Sequence, residues 1–125
     1  MMLRDCLDAL LISGLDDWVQ AAEVASIART TGAATSEDAV RDLSLRLIRR
    51  LLDHGLMEVG TVTEQDGFTR WSISFSEAMR RIESEWRARP EGPGLGEVCW
   101  LNLTEKGQIQ AQDLWSQKAK KTEDS

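Results

Sequence analysis

The sequence predicts a single α+β domain, mostly helical, with a small antiparallel sheet. Three observations carry that expectation. A chain of 125 residues suits one domain with one hydrophobic core. Apolar residues recur at three- and four-residue intervals over most of its length, the spacing of amphipathic helices. That rhythm gives way once to alternation on either side of Asp66-Gly67, a hairpin signal. With 42% hydrophobic and 29% charged residues, the chain has a globular balance, which excludes disordered, collagen-like and membrane-spanning classes. Uninterrupted apolar runs such as Ala9 to Ile12 fall far short of a membrane span.

Leu3, Cys6, Leu7, Leu10 and Leu11 mark a first helix over about 2–13, stopped by Gly14. Asp16 or Asp17 then caps a second helix that runs to Thr30, with an inner stripe of Ala21, Val24, Ala25 and Ala28 and Ile27 beside it. These residues are small, so another helix can approach closely. Gly32 ends the helix, and 31–35 is a polar connection. Ser36 is the next N-cap, and Glu37 and Asp38 suit the positive end of a third helix over 37–54. Its stripe is Val40, Leu43, Leu47 and Leu51, widened by Ile48 and Leu52, and His54-Gly55 closes it.

A three-residue hairpin loop of Gln65, Asp66 and Gly67 pairs Met57 with Phe75, Val59 with Ile73 and Thr61 with Trp71. All six then share one face, while Glu58, Gly60, Arg70, Ser72 and Ser74 take the other. Ser76 with Glu77 opens a fourth helix to about Ala88, striped by Met79, Ile82 and Trp86. Residues 90–96 form a Gly/Pro loop, 98–103 a short strand, and Thr104 caps a last helix whose inner face is Gly107, Ala111, Leu114 and Trp115. Ile109 falls off that stripe. Residues 1–118 are expected to form the domain and 119–125 a charged tail. Trp71 and Trp86 fit core stripes. Trp18, Trp100 and Trp115 are read as core too, with a partner interface as the other use of an indole.

Fifteen basic residues face twenty-one acidic ones, for a net charge of −6. Such a chain repels phosphate at long range and attracts basic proteins. Only the middle of the sequence is locally neutral or basic, so an anion-binding face is expected there. Cys6 and Cys99, far apart, read as buried thiols in a reducing compartment. The charged N-terminal residues Arg4 and Asp5 do not fit a signal peptide, and a cytoplasmic address is expected. One histidine and two distant cysteines provide no metal-ligand spacing. No glycine-rich phosphate loop follows a strand, and no nucleophile–base set can be assembled without His54. Neither a cofactor nor an enzymatic activity is expected.

The succession Glu23-Val24-Ala25, then Leu47-Ile48-Arg49-Arg50-Leu51-Leu52-Asp53-His54-Gly55-Leu56-Met57-Glu58, then Leu103-Thr104-Glu105-Lys106-Gly107 resembles the winged helix-turn-helix superfamily, such as the MarR-like and PadR-like regulators. The likeness covers roughly 1–75 and 98–115. The segment 76–97 departs from it, adding a helix between wing and last strand, and the link between helices two and three is longer than a tight turn. The resemblance implies that helix 37–54 is a recognition helix and 57–75 a wing. It implies a DNA-binding transcriptional regulator, homodimeric through helices 2–13 and 105–118, with Ile109 as a contact.

Arg41, Arg46, Arg49, Arg50 and Arg70 are the candidate DNA-binding residues, since arginine grips phosphate and reads guanine edges. Charge placement pulls the other way. A recognition helix enters the major groove by its N-terminal half, and here that half offers Glu37, Asp38 and Asp42. Those carboxylates suit a second reading, an acidic immunity or antitoxin-type protein that neutralises a basic partner such as a nuclease. Arg46, Arg49 and Asp53 also fit a plain solvated face, with Arg49 and Asp53 paired four residues apart. For Arg80, Arg81, Arg87 and Arg89, pairing with the interleaved Glu77, Glu83 and Glu85 is preferred over a basic patch.

Overall fold

Apolar stripes decide where each helix lies, and a computed structural model describes the result over residues 2–124, with side chains from 3 to 120. The elements are α1 (Met2–Ser13), β1 (Val19–Gln20), α2 (Ala21–Thr30), α3 (Glu37–Asp53), β2 (Met57–Thr63), β3 (Gly67–Arg70), α4 (Phe75–Arg87), β4 (Trp100–Leu103) and α5 (Glu105–Asp124). The strands make one antiparallel sheet in the order β1-β4-β2-β3. The chain is therefore α+β, as the periodicities predict. The core draws Cys6, Leu10 and Leu11 from α1, Val24, Ala25 and Ala28 from α2, Val40, Leu47, Ile48 and Leu51 from α3, and Ala78, Met79, Ile82 and Trp86 from α4. One face of the sheet adds Val19, Met57, Val59 and Leu101.

The caps explain several boundaries. Ser36 Oγ accepts from the Ala39 amide at 3.1 Å, satisfying one of the free donors at the start of α3. Gly55 at φ +68° lets the chain reverse out of α3. Thr104 Oγ1 then does two things. It accepts from the Gly107 amide at 3.0 Å and donates to the Gly55 carbonyl at 2.6 Å. Lys106 Nζ donates to the His54 carbonyl at 2.9 Å. The start of α5 is thus tied to the end of α3.

Several local expectations are corrected. Neither Asp16 nor Asp17 caps α2. Its N-cap is Gln20, without a side-chain bond, because Val19 pairs with Leu101 in the sheet first. Asp17 Oδ1 instead accepts from the Trp18 amide at 2.7 Å. The hairpin is slipped by two residues. Thr61 faces Thr69, Thr63 faces Gly67, and the Trp71 amide donates to the Val59 carbonyl at 3.0 Å. The faces are preserved, because a two-residue slip keeps the strand period. Gly67, at φ +66°, opens β3 rather than closing the loop. The strand then stops at Arg70, and Ser74, not Ser76, caps α4 by accepting from the Glu77 amide at 3.2 Å. Ile73 and Phe75 leave the sheet and are 40% and 37% exposed. Finally, Trp86 is buried as expected, but Trp18 is 36% and Trp115 57% exposed, and Trp100 only half-buried. The α5 helix continues to Asp124, past the expected start of the tail. Side chains of that tail from 121 onward lie outside the described residues.

Two positions test the packing. A Cβ on Gly107 would collide with the Leu56 carbonyl oxygen, so Gly107→Ala is expected to lower stability by about 2 kcal/mol. Ser44 lies fully buried in the α3 stripe with no hydrogen-bond partner for its hydroxyl among the described residues. Ser44→Ala removes that orphan group and adds helix propensity, so stability should rise by about 1 kcal/mol. Urea unfolding midpoints at unchanged slope check both.

Candidate nucleic-acid interface

Because Val40, Ser44, Leu47, Ile48 and Leu51 are buried, helical geometry turns Arg46, Arg49 and Arg50 to the opposite arc, where all three are exposed. They line a shallow depression with Leu3 of α1 and Asp53. The expected Arg49–Asp53 pair does not form. The Arg49 guanidinium lies 5.6 Å from the centre of the Phe75 ring instead, a cation–π contact. Phe75 in turn lines a groove with Leu52, Trp71, Ile73 and Arg70. The structure therefore joins α3 to Arg70 of the hairpin through an apolar strip that no sequence motif marks. Trp71 is fixed there. Its Nε1 donates to Thr61 Oγ1 at 2.8 Å, and the Arg81 guanidinium covers its ring at 3.9 Å.

The N-terminal half of α3 is different. Arg41 reaches Asp38 at 3.3 Å and Asp42 at 3.2 Å. Glu37 accepts from Arg29 at 3.0 Å and 3.1 Å through its two oxygens. Glu37, Asp38 and Arg41 also line a cleft whose other wall is Trp86, Arg87, Arg89, Pro90 and Gly92. The end of α4 and the Gly/Pro loop thus lie beside the half that a groove-reading helix would present. Of the five arginines singled out from sequence, Arg46, Arg49 and Arg50 gather on one arc of α3, Arg70 lies apart on the edge strand and shares only the Phe75 groove, and Arg41 is engaged by acids. Of the three acids singled out, all are engaged by arginine.

Along α4, Arg81 pairs with Glu85 at 3.1 Å and Arg87 with Glu83 at 3.0 Å, as their spacing predicts, whereas Arg80 and Glu77 form no ion pair among the described residues. Arg89 reaches Glu97 at 3.3 Å and donates to the Glu85 carbonyl at 2.7 Å. Glu97 is held below the usual carboxylate range by the Gly94 amide, which donates at 2.6 Å, and by Arg89. Arg46, Arg49, Arg50 and Arg70 make no ion pair with any described residue. Sequence reasoning missed Ile73 and Phe75 as part of this region, because their alternation with Ser72 and Ser74 reads as strand. It also missed Arg4, which lines the neighbouring α1–α3–α5 groove with Arg50.

Both cysteines are free and buried. Burial, with the Glu85 carboxylate adding to it, pushes the Cys99 thiol up to about 12, against a smaller opposing effect of Arg81. Cys6 is raised too, by burial and then by Asp5. Among the described residues, no group of three or more His, Cys, Asp or Glu side chains is placed to hold a metal ion. No helix among the described residues is long and apolar enough to cross a membrane. Comparison with protein-family models, with curated proteins and with solved structures found no match to this chain.

The Cys99 environment has a measurable consequence. The folded thiol holds its proton to a higher pH than the unfolded one, whose ordinary value is 9.0. Its stabilising contribution is complete below about pH 9 and is lost as pH rises toward 12. The expected loss approaches about 1.4 kcal/mol per pH unit in that window. Urea unfolding at several alkaline pH values checks it, and Cys99→Ala should flatten the dependence.

Proposed function

We propose that this protein is a non-catalytic DNA-binding regulator of winged helix-turn-helix type, which grips the duplex with the C-terminal half of α3 and the hairpin. The observation that carries the reading is selective pairing. Arg29, Arg41, Arg81, Arg87 and Arg89 all have carboxylate partners. Arg46, Arg49 and Arg50 on one arc of α3, and Arg70 beyond the Phe75 strip, have none among the described residues, nor do Arg4 on α1 and Arg80 on α4. Three guanidinium groups without carboxylate partners on one arc of a helix suit a polyanion, even on an acidic chain.

Topology supports the same reading. A short strand before α2 pairs with the last strand, β4, and β4 pairs with the strand that leaves α3. In this reading β3, α4 and the loop after it are an insertion in the wing. With the acidic half of α3 flanked by α4 and the loop, the arginines are suited to phosphate contact rather than deep base reading. Two copies are expected to associate through α5, where Ile109 and Trp115 remain exposed.

Fluorescence anisotropy with a labelled duplex at low salt tests the assignment. The triple substitution Arg46→Ala/Arg49→Ala/Arg70→Ala should abolish binding while leaving the fold intact, and each arginine lost should reduce the salt slope by about 1. Arg41→Ala should bind like the parent. A triple variant that binds as the parent does would refute the reading.

A further inference from the structure

A second surface lies on the side of the sheet away from the core. Residues directly opposite one another in antiparallel strands share a face. The register therefore places Gln20, Trp100, Glu58, Gly60, Val62, Phe68 and Arg70 together, opposite the buried Val19, Val59 and Leu101. The Phe68 ring lies over Gly60, where a Cβ would come 2.9 Å from Phe68 Cζ. Trp18 stacks on Phe68 with ring centres 6.3 Å apart and planes 28° from parallel. A Cβ on Gly67 would sit 3.5 Å from the Trp18 ring. Trp18, Phe68 and Trp100 are all partly open to solvent. Loop 94–96 adjoins this aromatic face. The Gly96 amide donates to Gln20 Oε1 at 2.6 Å, and Leu95 at the loop tip is 85% exposed.

The charges around this face are mostly acidic. Asp16 and Asp17 precede Trp18, Glu64 and Asp66 form the turn next to Gly67, and Glu58 lies on the face itself. None of these five carboxylates has an ion-pair partner among the described residues. The only cation placed on the face by the strand register is Arg70, on the edge strand β3. Acidic side chains without ion-pair partners thus surround these exposed aromatic rings, with Arg70 at the edge of the face.

We propose that this sheet face docks an arginine-rich segment of a basic protein partner. Guanidinium planes stack on indole and phenyl rings and are attracted by the ring quadrupole. The surrounding carboxylates steer and pair with the same side chains. Stacked, partly exposed aromatics at the centre with charges at the rim follow the arrangement of an interface hot spot. The acid set differs from Glu37, Asp38 and Asp42, whose charges Arg29 and Arg41 already engage. This proposal is independent of DNA binding by α3.

The test uses the full chain and two labelled peptides of equal length, one oligoarginine and one oligolysine, in anisotropy titrations at physiological salt. The oligoarginine peptide should bind saturably, and the oligolysine peptide about fivefold more weakly. Trp18→Ala should weaken oligoarginine binding about tenfold, and Asp16→Asn/Asp17→Asn/Asp66→Asn, a surface set that leaves the core untouched, about tenfold as well. Arg46→Ala/Arg49→Ala/Arg50→Ala should bind the peptide at least as tightly as the parent, which separates this result from the duplex experiment. Absence of saturation, equal affinity for the two peptides, or an affinity unchanged in Trp18→Ala would each overturn the proposal, the last two by reducing it to bare charge attraction.

Discussion

The one-sided burial of α3 is the constraint on which the rest of the structure depends. Its stripe from Val40 to Leu51 packs against α1, α2, α4 and β2. With that stripe fixed, Arg46, Arg49 and Arg50 have only the solvent side left. The end of the same helix also sets the sheet and the last helix. Leu56 N bonds back to the Leu51 carbonyl at 2.9 Å, and the Leu56 carbonyl accepts from the Thr104 amide at 3.1 Å. Gly107 is the residue whose missing side chain lets α5 settle against that carbonyl. Rotating α3 would therefore disturb its arginines, the origin of β2 and the seat of α5 together, since close-packed interiors transmit such shifts.

Charge is partitioned rather than spread. A net charge of −6 suggests an evenly acidic surface, but pairing decides what each region presents. Arg29 neutralises Glu37, Arg41 sits between Asp38 and Asp42, and Arg81 and Arg87 of α4 are matched by Glu85 and Glu83. Exposed pairs of this kind contribute little to stability. Among the groups they leave without partners are the guanidinium groups on the outer arc of α3 and the carboxylates around the outer sheet face. The basic arc of α3 and the mainly acidic rim of the outer sheet face are therefore distinct, with Arg70 at the edge of the latter.

Much of the fold was legible because local signals agreed with one another. Ser36, the Val40–Leu51 stripe and Gly55 bound α3 without help from distant residues. The α2 and α4 stripes were equally plain. What failed did so for physical reasons. Asp16, Asp17 and Gln20 all precede the α2 stripe, and only the pairing of Val19 with Leu101 selects Gln20 as the cap. Ser72, Ser74 and Ser76 offer three starts for α4, and Ser74 prevails because its hydroxyl has Glu77 at the right distance. A left-handed glycine at 67 suits either the loop or the first strand residue, so the register slipped by two. The arginine arc of α3 could be placed from the helix alone. Its link to Arg70 through Phe75 could not, because it depends on where α4 begins. Nor could the Arg29–Glu37 and Arg89–Glu97 pairs, which join separate elements.

The exposed C-terminal half of α3, and not its acidic start, is the part proposed to meet nucleic acid. Mapping backbone amide shifts by NMR while a short duplex is titrated in measures this most directly. The largest perturbations are expected at 46–50, at Arg70 and at 73–75, with 37–42 nearly still. Perturbations concentrated at 37–42, or none in α3 at saturating duplex, would contradict it.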